Sequence, residues 1–436
     1  MLTAQDNDLL TLTGPDQPMG QVFRQYWLPV LLSKELSPDG PPQRVRLLDE
    51  DFIAFRDTNG AVGVVEPQCS HRGANLFFGR NEECGLRCVY HGWKFNVRGE
   101  CVDLPTSEST IASTIKPKAA IRALAVQEYG DLIWVHFAPN APKDSLPIFE
   151  FAQLPPEQRF VSKKFQQCNW AQAVEGGIDT AHFSYLHANY ADGEKAPLMP
   201  QQGDNEPPAN ARYRWLIEDG APKFTVLQHD AGLVLGAARV ADNNQLYWRI
   251  TQFMMPNHSL APNSFPGDIH QGNTWVPVDD VSSWIFCYAY HPDRALTTEE
   301  RDRFAKGGGI FSAVDEHYFP YANRENDYQI DRELQKQGNF TGIRGISEQD
   351  AAIADSQGLI ADRARELLGQ TDLGVVRFRR MMLDAARTIG QQSPHGSTAP
   401  AAYNIRSGDA MSSADTPLED VLKERFGSIG GVGIRA

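Results

Sequence analysis

The sequence predicts an α+β protein in which a small all-β domain precedes a larger domain that combines a sheet with helices. Three observations predict it. From Arg44 to about Phe137, short β-rich segments ("RVRLL", "DFIAFR", "AVGVVEP", "DLIWVHF") are separated by Gly, Asp and Asn turns. Beyond residue 210, strand-like runs follow one another: "ARYRWLIED", "APKFTVLQHD", "GLVLGAARV", "QLYWRITQFMM", "NTWVPVDD" and "SSWIFCYAYHP". Segments of helical spacing bracket this second set, with "NWAQAVEGGIDTAHFSYLHANY" ahead of it and "TTEERDRFAK" and "GQTDLGVVRFRRMMLDAARTI" behind it.

In chain order, residues 1–40 hold the turn-rich "TGPDQPMGQ", the aromatic "FRQYWLPVLL" and the stop "SPDGPP", and read as an arm packing on the larger domain. Residues 41–140 form the β domain, with "APNAPKDSLP" as linker, and residues 141–390 the larger domain, in which a polar, Pro-containing connection runs to about residue 210. Residues 391–436 read as an extended tail around a short helix at "LEDVLKERF". No internal repeat is present.

Composition narrows the function classes. The 436 residues are 41% hydrophobic and 22% charged, ordinary for a globular chain that can bury real cores without a metal staple. With 41 basic against 55 acidic residues the net charge is −14, which disfavours phosphate-driven nucleic-acid binding. No stretch approaches the roughly 18 apolar residues of a membrane span, and "MLTAQDNDLL" has no signal-like pattern, so a cytoplasmic address is expected. Six cysteines without an extracellular signal read as thiols or ligands rather than a disulfide framework.

Three of those cysteines and two of the eleven histidines lie in "CSHRGANLFFGRNEECGLRCVYHGWKF", residues 69–95. The set resolves into Cys69-x-His71 and, sixteen residues on, Cys88-x-x-His91. Two thiolates and two imidazoles suit tetrahedral zinc or a [2Fe–2S] cluster with cysteines on one iron and histidines on the other. Zinc fingers usually pair like with like; here each arm supplies one Cys and one His, the Rieske arrangement. Gly73, Gly92 and Gly99 permit tight loops, and Trp93 and Phe95 can shield a cluster from water. Cys84 and Cys101 fall outside the pattern.

A second constellation, "EGGIDTAHFSYLH", spaces Asp179, His182 and His187 as D-x₂-H-x₄-H. At about 100° per residue, Asp179 and His182 share a helix face while His187 sits roughly 140° further round, so a broken turn is needed to aim both histidines at one metal. Two histidines with one carboxylate make the facial triad of non-haem Fe(II) oxygenases; on these residues alone, ordinary helix histidines are the favoured reading.

Together, C-x-H-x₁₆-C-x₂-H and D-x₂-H-x₄-H resemble the Rieske non-haem iron aromatic-ring oxygenases, phthalate dioxygenase type, over residues 1 to about 390, with "QYWLPVLL", "RCVYHGWKF", "NWAQAVEGGID" and "FRRMML" in support. The resemblance implies a helix-grip-like catalytic domain with an antiparallel sheet. It implies that Cys69 and Cys88 bind one cluster iron, His71 and His91 the other, and that His182, His187 and Asp372 (of "GQTDLGVV") hold a mononuclear Fe(II), with Asp362 and Asp384 as substitutes for Asp372. Asp179 matches the family's bridging aspartate between His182 and a neighbouring subunit's cluster histidine, His91; Glu175 is a second candidate in that electron relay.

The implied reaction is cis-dihydroxylation of a substituted benzoate, chlorobenzoate-like or phthalate, by dioxygen. Monooxygenation or O-demethylation of an aromatic acid is the alternative, and a Rieske protein that only transfers electrons the non-enzymatic one. No dinucleotide fingerprint or plant-type ferredoxin run is present, so a separate flavin and iron–sulfur NAD(P)H-dependent reductase is implied, serving a homotrimer or stacked hexamer. A substrate carboxylate wants a charge-assisted partner in an apolar pocket, for which Arg249 in "YWRITQFMM" and Arg239 in "GAARV" are candidates, with Thr180 beside them. The place for the phthalate enzymes' second arginine falls on Val234, which favours a monocarboxylate.

Overall fold

The structure, a computed structural model, describes residues 1–188, 209–262, 268–391 and 399–427. The polar connection expected up to residue 210 and the end of the tail lie largely outside them. The chain divides into two compact units, Thr13–Leu146, and Met1–Leu12 with Pro147–Ala436. The expected arm is therefore split. Its first helix, α1 (Ala4–Thr11), belongs to the larger unit, where the Asn169 side-chain amide donates to the Thr11 carbonyl and the backbone N–H of Leu2 to that of Arg363. Helix α2 (Pro18–Phe23) and strand β1 (Leu28–Leu32) belong to the smaller one.

The smaller unit is built from three antiparallel sheets. One joins β1 to β9 (Ala125–Tyr129) and β10 (Leu132–His136), a second holds β2 (Gln43–Leu47), β3 (Glu50–Arg56) and β4 (Val62–Val65). The third is a meander of β5 (Arg80–Glu82), β6 (Gly85–Arg87), β7 (Lys94–Phe95) and β8 (Cys101–Asp103), followed by helix α3 (Ser109–Ile115). Ile53, Phe55, Val65, Leu76, Leu86 and Phe95 form its core, and Cys69, Cys88 and Cys101 are buried in the same cluster.

In the larger unit one eight-stranded antiparallel sheet runs in the order β11 (Arg159–Gln166), β17 (Ser282–Tyr290), β16 (His270–Asp279), β15 (His258–Ala261), β14 (Gln245–Met254), β13 (Gly232–Val240), β12 (Lys223–His229). The second half of β14 pairs with β15; its first half pairs with β18 (Gly408–Ser413), a strand from the expected tail. Because strand side chains alternate between faces, register sorts the sheet. One face carries Arg239, Tyr247, Arg249, Phe253, Asn273, Trp275 and Ile285, paired as Arg239 with Tyr247 and Trp275 with Ile285. Helices α5 (Trp170–Ile178) and α10 (Leu373–Arg387) cover it, with Phe253 against Phe378 and Trp275 against Gly177.

The opposite face buries Phe149, Phe151, His258, Tyr288 and Tyr403 at one end. At its other end Val234, Ala238, Trp248 and Ile250 pack on α11 (Leu418–Phe426). Val234 thus faces away from Arg249, and no arginine there would join it. The remaining helices are α4 (Glu150–Gln153), α6 (Ala209–Glu218), α7 (Thr298–Ala305), α8 (Arg332–Gln337) and α9 (Ile346–Ser356). "ARYRWLIED", expected as a strand, forms α6: its aromatics Tyr213 and Trp215 are buried, and tertiary packing overrides their β propensity.

Candidate metal centres and anion anchor

In the smaller unit the two arms are near-copies. Cys69 accepts at its carbonyl from Gly73 N–H at 2.9 Å, and Cys88 from Gly92 N–H at 2.9 Å; the cysteine N–H groups return to Ala74 and Trp93 carbonyls at 2.9 and 2.8 Å. Gly73 (φ +71°) and Gly92 (φ +77°) take the left-handed conformation that closes each loop. These loops bring His71 and His91 to 4.5 Å between ring centroids, and Trp93 stacks on His71 at 4.4 Å. Both cysteines are buried free thiols. Burial, with Cys88 close by, pushes the Cys69 thiol up to about 11.

The donor chemistry fits a [2Fe–2S] cluster on a specific observation: Nδ1 of His71 and of His91 are both buried without a hydrogen-bond partner among the described residues. Buried polar atoms are normally paired, and an iron pair held by Cys69, Cys88, His71 and His91 would satisfy both. Cys84 lies apart, its sulfur accepting from the Asn59 amide at 3.0 Å, and Cys101 packs in the core.

In the larger unit, α5 stops at Ile178 and the chain turns through Asp179 before a short 3-10 turn at His182–Ser184. The break supplies the turn that a straight helix lacks. His182 and His187 meet with Nε2 atoms 3.1 Å apart, and the carboxylate that joins them is Asp350 of α9, its Oδ1 3.1 Å from His187 Nε2 and 3.6 Å from His182 Nε2. These three offer ligand atoms all within 4.8 Å of one another. The outer nitrogens are held too: Nδ1 of His182 lies 3.1 Å from Asp179 Oδ2, and Nδ1 of His187 lies 2.6 Å from Gln349 Oε1. That pattern leaves both Nε2 atoms turned to one point, the usual second layer of a His-ligated metal. Burial disfavours the charged form of His182, but Asp179 and Asp350 outweigh it and hold its pKa above the ordinary value.

Three expected roles do not match this geometry. Asp372 is not with the histidines: its carboxylate accepts from Gly369 N–H at 2.6 Å, just ahead of α10. The substitutes Asp362 and Asp384 are exposed. Asp350 is inconspicuous in the sequence because α9 is a short run of small and polar residues ("ISEQDAAIADS") with little apolar contrast; its one local signal is the adjacency of an amide, Gln349, to the carboxylate. Glu175 is not aligned with Asp179 either. It is an internal counter-ion, bidentate to Arg363 at 2.9 and 3.0 Å and bonded to Arg379 Nε at 2.7 Å, while Arg379 reaches on to Glu366. Burial would raise the Glu175 carboxyl, but Arg363 and Arg379 hold it below its ordinary value. The Arg-rich helix α10 therefore serves this cluster rather than presenting a ligand.

Arg239 and Arg249 are brought together beside His182. Arg249 Nε donates to Thr180 Oγ1 at 2.9 Å, its guanidinium lies 4.6 Å from the Phe183 ring centroid, and its charge opposes protonation of His182. Arg239 donates to the Thr180 carbonyl at 2.8 Å and to the Asp219 carbonyl at 3.1 Å; its Nη1 is buried without a hydrogen-bond partner among the described residues. The two side chains are 0% and 4% exposed as whole residues. Burial, with Arg249 close by, brings the Arg239 pKa down to about 10, so it stays charged at neutral pH. Across β18, Asp409 stands directly opposite Arg249 and accepts from the Tyr247 hydroxyl at 2.6 Å. Asp350, Asn273, Trp275, Ile285, Gly176 and Gly177 line a small cavity on this face of the sheet.

Comparison with known proteins agrees with both centres. Residues 26–126 match the family model for the Rieske [2Fe-2S] domain, and residues 138–412 the model for the LigXa C-terminal domain. The chain is 38% identical over 394 residues to the phthalate 4,5-dioxygenase oxygenase subunit of Pseudomonas putida, covering 88% of this chain and 86% of that one. It is 34% identical to the 3-chlorobenzoate-3,4-dioxygenase oxygenase subunit of Comamonas testosteroni, over 98% and 99% of the two chains. Dicamba monooxygenase bound to dicamba shares the fold, with a TM-score of 0.58 at 18% identity over 85% of this chain and 99% of that one. No described helix is long and apolar enough to cross a membrane. With a Rieske domain ahead of a LigXa-type catalytic domain, and relatives of this identity along most of its length, the chain belongs to the Rieske non-haem iron oxygenases, oxidoreductases that carry a [2Fe–2S] cluster and a mononuclear iron.

Proposed function

We propose that this chain is the terminal oxygenase of a multicomponent system that cis-dihydroxylates a substituted benzoate. A separate reductase supplies the electrons, and the working form is a cytoplasmic homotrimer or stacked hexamer. The observation that carries the substrate class is the pair of buried guanidiniums, Arg239 and Arg249, tied to Thr180 two residues before His182. Buried cations of this kind call for an anion, and a carboxylate bound there would lie beside His182, whose Nε2 meets Asp350 on the wall of the small cavity with Trp275 and Ile285. The phthalate and chlorobenzoate names of the two relatives support the same class.

Residues Cys69, His71, Cys88 and His91 would hold the cluster, and His182, His187 and Asp350 the mononuclear iron. When bound, these groups supply single electrons and the site at which dioxygen is reduced and added to the ring. The protein's own part is orientation. Asp179 fixes His182 through Nδ1 and is itself fixed by the Ala181 N–H at 2.7 Å. Its carboxylate is a quarter exposed, so a neighbouring subunit's His91 can donate to it, which makes Asp179 the bridge between centres. Gln349 sets the tautomer of His187.

The test is product analysis with ¹⁸O-labelled dioxygen on a panel of benzoates and phthalates, driven by a surrogate reductase. Two labelled oxygens on one ring face of a benzoate are expected. One labelled oxygen, or loss of a methyl group as formaldehyde, would establish the monooxygenase or O-demethylase alternative. Two irons per chain instead of three would leave only electron transfer.

A further inference from the structure

The small cavity beside Asp350 is walled in part by an amide left unpaired. Asn273 of β16 stands two residues before Trp275, on the sheet face that carries Arg239 and Arg249, and its Oδ1 is buried without a hydrogen-bond partner among the described residues. Buried polar oxygens are normally paired. The same cavity is lined by Lys164 of β11, which is 5% exposed and whose ammonium donates to the Ser347 hydroxyl and, at 3.2 Å, to the Ser347 carbonyl. The cavity volume, about 50 Å³, gives room for a ring substituent or a few waters. Register relates this place to the arginines: Asn273 faces Ser259, and Ser259 faces Phe253, four residues along β14 from Arg249. Two strand spacings across and four residues along put the Cα atoms of Asn273 and Arg249 about 16 Å apart. An arginine side chain, a benzoate and an asparagine amide together span that distance.

We propose that Asn273 is a specificity-determining residue that recognises a hydroxyl group on the aromatic ring, so that the substituted benzoate taken by this enzyme is a hydroxybenzoate. This rests on the reading that an aromatic acid binds at Arg239 and Arg249. The unpaired atom is an acceptor and asks for a proton. A hydroxyl gives one to Oδ1 and keeps lone pairs for the Lys164 ammonium. A chlorine or a second carboxylate has no proton to give, and sets its own lone pairs against Oδ1. A site arranged to hydrogen-bond a hydroxyl rejects the analogue that lacks it, because its own polar groups are then left unpaired.

The experiment uses holoenzyme and four probes, 3- and 4-hydroxybenzoate, each beside its chloro counterpart. Equilibrium binding is measured anaerobically by titration calorimetry, and kcat/KM with a surrogate reductase. At least one hydroxybenzoate should bind about tenfold more tightly than its chloro counterpart. At unchanged iron content, Asn273→Leu should cut that preference to about twofold or less, and Lys164→Met should lower it by about threefold. Asn273→Asp, which keeps an acceptor in the same shape, should preserve it. An unmodified enzyme that binds the acids without a hydroxyl preference overturns the proposal, as does a preference that survives Asn273→Leu or Lys164→Met, or a parallel fall of all four acids in Asn273→Leu. If Asn273→Leu is not recovered folded, Asn273→Ala is held to the same criterion, and the comparison of acids on the unmodified enzyme stands by itself as a refutation if no preference is found. Failure of the unmodified enzyme to bind any of the acids is a different result: it removes the aromatic-acid reading itself.

Discussion

Replacing Glu175 by Gln separates a structural anchor from a member of the electron path. The carboxylate is buried and is shared by Arg363, which is fully buried, and Arg379, which is 4% exposed. Glutamine keeps the shape but leaves two guanidiniums facing a neutral amide, of which only Arg379 retains another carboxylate, Glu366. Stranding a buried charge in this way costs about 3–5 kcal/mol. For a unit of this size each kcal/mol moves the midpoint by about 2 °C, so calorimetry should show a loss of about 6–10 °C. Iron content should not change, and turnover per iron at 20 °C should stay within about threefold. The double variant Glu175→Gln/Arg363→Met should recover part of the loss, because it removes the stranded charge as well. The contribution also has a pH signature. Since the folded-state pKa of Glu175 lies below the ordinary 4.5, its stabilisation is complete above that pH and disappears as pH falls through the depressed value; the variant and parent curves should therefore converge only in acid. A midpoint shift under 2 °C together with collapsed turnover would refute the anchor and return Glu175 to the relay.

Asp350→Asn should lower iron from three to two per chain with the Rieske absorption intact, whereas Asp372→Asn should keep all three, as measured by iron analysis beside the visible spectrum. Gln349→Leu leaves His187 Nδ1 without its partner and should weaken mononuclear iron binding by about 10- to 100-fold in a chelator competition. Asp179→Asn should load both centres yet lose at least about 100-fold in steady-state turnover, since it breaks the proposed bridge rather than a ligand. Gly92→Ala should lower thermal stability more than Gly73→Ala. Both force a side chain into the left-handed region, at about 1–2 kcal/mol, but a Cβ on Gly92 would also lie 2.7 Å from Pro105 Cγ while one on Gly73 meets nothing within 4 Å.

The parts of the molecule that were legible in the sequence are those whose chemistry is local. The cluster loops are two short Cys/His arms closed by glycines, so spacing alone singled out Cys69, His71, Cys88 and His91 as a set. The D-x₂-H-x₄-H stretch likewise announced its own helix break, because no regular helix serves both histidines. The third member of the triad, a carboxylate, arrives from α9, 163 residues after His187, and nothing in its neighbourhood marks it except Gln349. Arg239 and Arg249 were visible as charges on apolar strands, a pattern that cannot be solvated on both faces. Their partner Asp409 was not, since β18 is a short strand, "GDAMSS", of weak β propensity held by pairing with β14. The split of the first forty residues between units was hidden for the same reason: the contacts of α1 are with residues 169 and 363.

Helix α9 carries, side by side, the carboxylate that meets both histidines and the amide that orients one of them. Its seating is also fixed by Gln349 Nε2, which donates to the Ile343 carbonyl at 2.8 Å, and by Gly345 at φ +90° just before the first turn. A metal held by Asp350 and His187 would therefore tie this helix to the chain break after α5. Loading the site with iron should therefore slow hydrogen exchange across residues 343–356, so that the same measurement reads the seating of the helix and the metal content of the site.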